Sequence, residues 1–280
     1  MEYTKIQGLG NDFIIIDNRE NIFSEKQLPR ISKRLCTRRL SIGADGLMAV
    51  ENSDIADFKM RFYNSDGSIG EMCGNGARCI VRYACMKNIA KERMKIETTS
   101  GIVEGEILTE RNVSVKLNSP TSIKLDKKYS YKDKDYDVSY VELGNPPLPH
   151  CIIEYSQLAK TSIKEIMDLA KSLRYWKEFP KGANVNFFEV IKDDYILVKT
   201  FERGVENFTL ACGTGSASTA LVVRLKSLLN RDLVHVKVTG GELDVKVVKI
   251  GESWDLYLIG DTNTVSEGIV LDEDLKIGDE

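Results

Sequence analysis

The chain has only two histidines, His150 and His235, and six cysteines, at positions 36, 73, 79, 85, 151 and 212, none of them in a C-x-x-C pair. A tetrahedral metal site draws on closely spaced Cys/His pairs, so this pattern argues for no metal. The cysteines are also too sparse for the disulfide framework of a small secreted protein. Long apolar runs are missing: the stretch 13–16 falls far short of the roughly 18 residues that span a bilayer. One-sided charge is missing too. With 39 Lys and Arg against 42 Asp and Glu, the net charge is −3, and no global basic field attracts nucleic acid or an anionic membrane. Arg34, Arg38 and Arg39 read as a solvated helix face rather than a phosphate site. The opening segment, Met1 to Ile6, carries charge and lacks the apolar core of a signal peptide, which points to a cytoplasmic protein with free thiols. At 280 residues, 42% apolar and 29% charged, the composition is that of a soluble globular protein with one large domain or two ordinary ones.

The informative feature is internal repetition. Cys73-Gly74-Asn75-Gly76 and Cys212-Gly213-Thr214-Gly215 are both C-G-x-G, each followed by small residues and a helix-like run. Each follows an expected strand, 58–63 in one half and 195–201 in the other. Downstream, Gly101 stands 28 residues after Cys73, and Gly240 stands 28 residues after Cys212. Alternating strand-like stretches follow both, 102–107 with 113–117 and 243–248 with 254–258. Upstream, Asn11-Asp12-Phe13 echoes Asn184-Val185-Asn186-Phe187. Helices are expected at 25–39, 77–86, 162–174 and 216–229. The boundary is expected near 118–131, where Ser119-Pro120-Thr121-Ser122 leads into a Lys/Asp-rich stretch. The reading is α+β, in two similar lobes: 1–118 with a tail from about 266 to 280, and 119–265.

A cysteine immediately before Gly-x-Gly at a helix start has distinctive electrostatics. The first helical N–H groups lack internal partners and carry partial positive charge, which stabilises a thiolate. The glycines let a ligand approach the backbone, where those N–H groups can hold a carboxylate. Inverting a carbon stereocentre requires a base on one face and an acid on the other, and two thiols on opposite lobes meet that need. Taken singly, each cysteine would read as a small buried apolar residue; as a matched pair they read as an acid/base couple sharing one proton.

At these residues the chain resembles the diaminopimelate epimerase family. The matching segments are 8–13 (Gly-Leu-Gly-Asn-Asp-Phe), 64–68, 73–79, Gly144-Asn145-Pro146, Asn184 before its strand, Glu202-Arg203-Gly204 and 211–215. They run in order along nearly the whole chain. The resemblance implies interconversion of L,L- and meso-diaminopimelate, with neither pyridoxal phosphate nor any other cofactor, on the route to lysine and peptidoglycan. It implies two pseudo-symmetric lobes, each a mixed sheet wrapped round a central helix, with the active site in the cleft between them. It also implies a homodimer acting on a small-molecule amino acid. By motif, Cys73 and Cys212 carry over as acid and base. Gly74, Asn75, Gly213 and Thr214 carry over as the cradle for the reacting carboxylate. Asn11, Asn64, Asn145, Asn184, Glu202 and Arg203 carry over as substrate contacts, and His150 and Glu202 as groups that tune the thiols. Arg203 suits a distal carboxylate, and Glu202 a distal ammonium.

Three departures from the family pattern stand out. Pro147-Leu148-Pro149 splits the usual Gly-Asn-Pro-His run. Val205–Thr209 is longer than the usual Gly-Glu-Thr and contains Phe208. Gly46 stands where some members have glutamine. They motivate the main alternative, a cofactor-independent racemase or epimerase of another amino acid on the same architecture. A thiol redox protein and a non-catalytic amino-acid-binding module are the further alternatives; the lack of C-x-x-C counts against the first, and cysteine-to-alanine exchange tests the second.

Overall fold

A computed structural model describes residues 1–70 and 73–275. In chain order the elements are β1 (Glu2–Gly8), β2 (Asn11–Asp17), α1 (Leu28–Leu35), β3 (Gly46–Glu51), β4 (Phe58–Asn64), α2 (Gly74–Met86), β5 (Arg93–Thr98), β6 (Gly101–Ile107), β7 (Asn112–Lys116), β8 (Pro120–Tyr131) and β9 (Lys134–Leu143). They continue with β10 (Leu148–Glu154), α3 (Ile163–Arg174), β11 (Asn184–Lys192), β12 (Tyr195–Glu202), β13 (Asn207–Phe208), α4 (Gly213–Leu225), β14 (Leu233–Val238), β15 (Gly241–Ile250), β16 (Ser253–Asp261) and β17 (Asn263–Ile269). The chain divides into two units, Met1–Val115 with the chain from Gly260 onward, and Lys116–Ile259. Residues 276–280 of the expected tail lie outside the described residues.

The two units repeat one strand order. In the first, neighbours run β17, β1, β2, β3, β4, β5, β6, β7; β2–β3 and β4–β5 are parallel and the other pairs antiparallel. In the second they run β8, β9, β10, β11, β12, β14, β15, β16; β10–β11 and β12–β14 are parallel and the rest antiparallel. A buried helix fills each unit. Every residue of α2 from Gly74 to Ala84 is buried, packed with Ile6, Phe13, Met48, Phe58 and Val103. In α4 the stretch from Gly215 to Val223 is buried, and strands β9 to β12, β14 and β15 all touch the helix. Each aliphatic side chain buried this way stabilises by about 1.5–3 kcal/mol, which makes the two central helices the anchors of their units.

Several expectations change once the topology is known. By position in the sheet, β2 corresponds to β10 and β3 to β11, so the strand opening at Asn184 is the counterpart of the one opening at Gly46, not of the Asn11 strand. The Asn-led apolar runs matched in composition only. The turn glycines with positive φ are Gly101 (102°) and Gly241 (142°); they close hairpins at Thr98↔Gly101 and Val238↔Gly241. The spacing after the second cysteine is therefore 29 residues, one more than the Gly240 match indicated. Helix α1 is shorter than 25–39: Pro29 sets its start, and Arg39 turns to φ 74° beyond its end. Arg34 and Arg38 do not form a solvated helix face, since Arg34 grips Asp272 and Asp274 while Arg38 grips Asp12 and Asp45. The Lys/Asp-rich stretch read as a boundary lies within β8 and pairs with β9. No helix among the described residues is long and apolar enough to cross a membrane.

Candidate active site

Both motif cysteines occupy the position just before a helix. Cys73 precedes α2 with extended backbone (φ −111°, ψ 116°), and Cys212 precedes α4 in nearly the same conformation (φ −122°, ψ 107°). In α2 the first helical bond runs from Ala77 N–H to Cys73 O at 2.8 Å; in α4 it runs from Ser216 N–H to Cys212 O at 2.9 Å. The amides of Gly74, Asn75 and Gly76, and those of Gly213, Thr214 and Gly215, precede those first bonds. Each trio of N–H groups sits at the positive end of a helix dipole, beside a half-buried sulfur, and can hold an anion.

In the first turn the Cys73 sulfur lies 3.4 Å from Asn11 Oδ1. Arg78 is wholly buried beneath the turn and donates to Asn75 Oδ1 at 3.0 Å. A guanidinium only donates, so the Asn75 carbonyl must face it, which leaves the Asn75 NH₂ for another acceptor. Burial weakens the hold of Arg78 on its charge, opposed by the neighbouring Cys79, Cys73 and Asp261. A Cβ at Gly76 would strike Met48 and Phe13, so the helix start packs directly on the core. Asn64, at the end of β4, donates to Ser68 Oγ at 2.9 Å across a tight turn and stands opposite Gly46 in register. Gly46 has Phe62 and Tyr63 against it, and a Cβ there would sit 2.5 Å from the Phe62 ring. That ring fills the room a longer side chain would take.

In the second turn the Cys212 sulfur lies 3.6 Å from Thr214 Oγ1. A Cβ at Gly215 would collide with Asn186 Oδ1. Asn186 is wholly buried: its NH₂ meets Cys151 O at 3.0 Å and His150 Nδ1 at 3.3 Å, and its carbonyl accepts from Thr200 Oγ1 at 2.9 Å. His150 is buried and lies beside Asn184 in the β10–β11 register. Burial, aided by the nearby charge of Arg203, pushes its pKa down to about 3, so it is a neutral imidazole at physiological pH. Asn184 Oδ1 accepts the Arg203 backbone N–H at 2.8 Å, and Asn184 Nδ2 donates to Pro149 O at 3.3 Å. Glu202 accepts from Thr209 Oγ1 at 2.5 Å; burial raises its pKa, and that bond lowers it.

The second unit thus brings His150, Asn184, Glu202 and Arg203 onto adjacent strands and turns. Asn145 is exposed in the turn between β9 and β10, and His150 lies within β10 opposite Val141. Phe208 turns its ring inward against Phe187 and Phe201, leaving Thr209 to make the polar contact with Glu202. Asp45, Arg78 and Asn186 are polar groups that motif reading did not single out. For Arg78 there was a signal, a lone pair of arginines (78 and 82) in an otherwise small and apolar helix run.

The sequence model of the diaminopimelate epimerase family matches residues 3–123 and 140–265. Diaminopimelate epimerase of Aquifex aeolicus is 36% identical, covering 99% of this chain and 100% of its own. That of Caldanaerobacter subterraneus is 38% identical, covering 96% and 98%. Among solved structures, a PhzF-family phenazine biosynthesis protein of Bacillus anthracis matches with a TM-score of 0.73 at 16% identity, over 97% of this chain and 99% of that one. A hydroxyproline epimerase of Agrobacterium vitis, with trans-4-hydroxy-L-proline bound, matches with a TM-score of 0.69 at 13% identity, over 96% and 90%. At such low identity the structural matches speak to the fold alone: two duplicated units of mixed sheet.

Proposed function

Because the chain belongs to the diaminopimelate epimerase family, we propose that it interconverts L,L- and meso-diaminopimelate, in the cytoplasm and as a homodimer, without cofactor or metal, on the route to lysine and peptidoglycan. The observation that carries the reading is the pair of half-buried cysteines, each at the mouth of a helix whose first amides precede its hydrogen-bond ladder. One cysteine, as thiolate, removes the α-proton; the other, as thiol, delivers its own proton to the opposite face. The stereocentre inverts, and the two sulfurs exchange protonation states. Charge that develops on the reacting carboxylate is met by the amides at Gly74 and Asn75 and at Gly213 and Thr214. Arg203 takes the distal carboxylate as a fork, Glu202 and Asn184 face the distal ammonium, and Asn11 and Asn64 complete the contacts. Asn145, exposed in its turn, is a further contact in this reading.

The test is incubation with L,L-diaminopimelate in deuterated water. Deuterium is expected to enter one α position as the meso form appears. Cys73→Ala and Cys212→Ala should each reduce turnover by about 10³-fold or more, the usual scale for losing a proton-transfer group. Appreciable turnover by either variant would rule out two-base catalysis. The departures at Pro147-Leu148-Pro149, at Val205–Thr209 and at Gly46 favour one second reading, an epimerase of another amino acid, which exchange confined to a single-centre amino acid in the same assay would support.

A further inference from the structure

Asp45 lies immediately ahead of β3, half exposed, and is tied to three neighbours. Its Oδ2 accepts Asn11 Nδ2 at 2.6 Å and the Asp12 backbone N–H at 3.2 Å, and its Oδ1 accepts Arg38 Nη2 at 3.0 Å. Asp12 reciprocates: its Oδ1 accepts the Asp45 N–H at 3.1 Å, and its Oδ2 pairs with Lys5 at 3.0 Å. A carboxylate in ion pairs accepts and does not donate. Asn11 must therefore turn its NH₂ to Asp45, and its carbonyl oxygen is left 3.4 Å from the Cys73 sulfur. The amide orientation follows from chemistry alone, without needing the two ends of the amide to be told apart.

We propose that Asp45 is a positioning residue for Cys73: by locking the Asn11 amide it presents the sulfur with an acceptor that takes an S–H and offers nothing to a thiolate. The inference rests on the reading of Cys73 as one of the two proton carriers. The charged groups around the sulfur divide. On its own helix the buried Arg78 favours the thiolate, and Cys79 lies behind it; from β1, β2 and the segment after α1, Lys5, Asp12 and Arg38 hold Asp45 in place, and Asp45 bonds Asn11. Asn11 thus opposes Arg78, and Asp45 decides that Asn11 can do so. At the second cysteine the neighbour is a hydroxyl, Thr214, which can rotate to donate or accept.

The test is alkylation of the reduced protein with iodoacetamide at fixed neutral pH, with the Cys73 and Cys212 peptides quantified separately. In Asp45→Asn the new amide can donate to Asn11 Oδ1, which turns the Asn11 NH₂ toward the sulfur. Cys73 should then alkylate about three- to fivefold faster relative to Cys212, the scale of one net hydrogen bond. Asn11→Leu, which leaves Asp45 with Arg38 and Asp12, should shift the ratio in the same direction. A merely structural role would lower the melting temperature and leave the ratio where it was. An unchanged or reduced ratio in folded Asp45→Asn overturns the proposal; if that variant does not fold, the same result in Asn11→Leu does so. Alkylation does not depend on the substrate, so a protein that fails to epimerise diaminopimelate yet shows the shift loses the proposed function and keeps the positioning role.

Discussion

Cys73 and Cys212 have backbone angles within about 11° of each other and precede helices of 13 residues each, yet the groups that hold the two turns have little in common. The first turn is braced by charge: buried Arg78 beneath it, and the clasp of Asp12, Asp45, Arg38 and Lys5 beside it. The second is braced by neutral groups, Asn186, Thr200 and uncharged His150, with Ser216, Ser218 and Thr219 buried in the helix. Duplication preserved the shape of the backbone, which the buried helix and the strand order dictate. The polar groups that orient each turn diverged, because a buried amide or an ion pair can satisfy the same geometry.

The contrast can be broken at the glycines. Gly215→Ala pushes a methyl into Asn186, whose amide is pinned by Thr200 and Cys151, so neither side can yield. Gly76→Ala meets chiefly the methyl end of Met48, which can swing away. Thermal unfolding should show a loss of about 3 kcal/mol for Gly215→Ala against about 1 for Gly76→Ala; equal losses would mean that the second turn is no stiffer than the first. Acid sharpens the contrast next. The folded pKa of His150, about 3, lies below its unfolded value near 6.5, so the unfolded chain takes up the proton first and stability falls as pH drops below 6.5. Denaturant midpoints should record about 2 kcal/mol lost between pH 6.5 and 5, and His150→Gln should remove that slope. Asp12 responds to acid in the same direction but in a lower pH window. Burial resists its ionisation, but Arg38 and Lys5 prevail and its pKa is lowered, so its contribution persists until the pH falls below about 3.8. Acid should therefore weaken the second unit before the first. The smallest effect concerns salt. Arg38→Met, at a half-exposed site, should cost under about 1 kcal/mol, and less still in 1 M salt. The cost of Thr200→Val, an uncharged buried pair, should be indifferent to salt.

The twin glycine turns, the strands that precede them and the hairpins that follow were legible because they depend on local chemistry: a positive φ, an alternating pattern, a helix start. The correspondence of strands was less so. Asn11 and Asn184 both introduce apolar runs, but only the pairing register reveals that β3, opening at Gly46, is the true partner of β11. The clasp around Asp45 was also hidden, since Asp12, Arg38 and Asp45 meet only after the helix stops at Leu35 and lets Arg38 turn back. The place of His150 was not legible, because the side on which three extra residues are absorbed depends on how β9 and β10 pair.

Strand β1 takes its outer partner from β17, with Glu2 facing Ile269, while β9 to β12, β14 and β15 find their neighbours within Lys116–Ile259. On a ribosome the earlier-made unit therefore waits with an open edge until β17 emerges, whereas the later-made unit has its partners to hand as soon as it is translated. The order of birth and the order of completion are reversed.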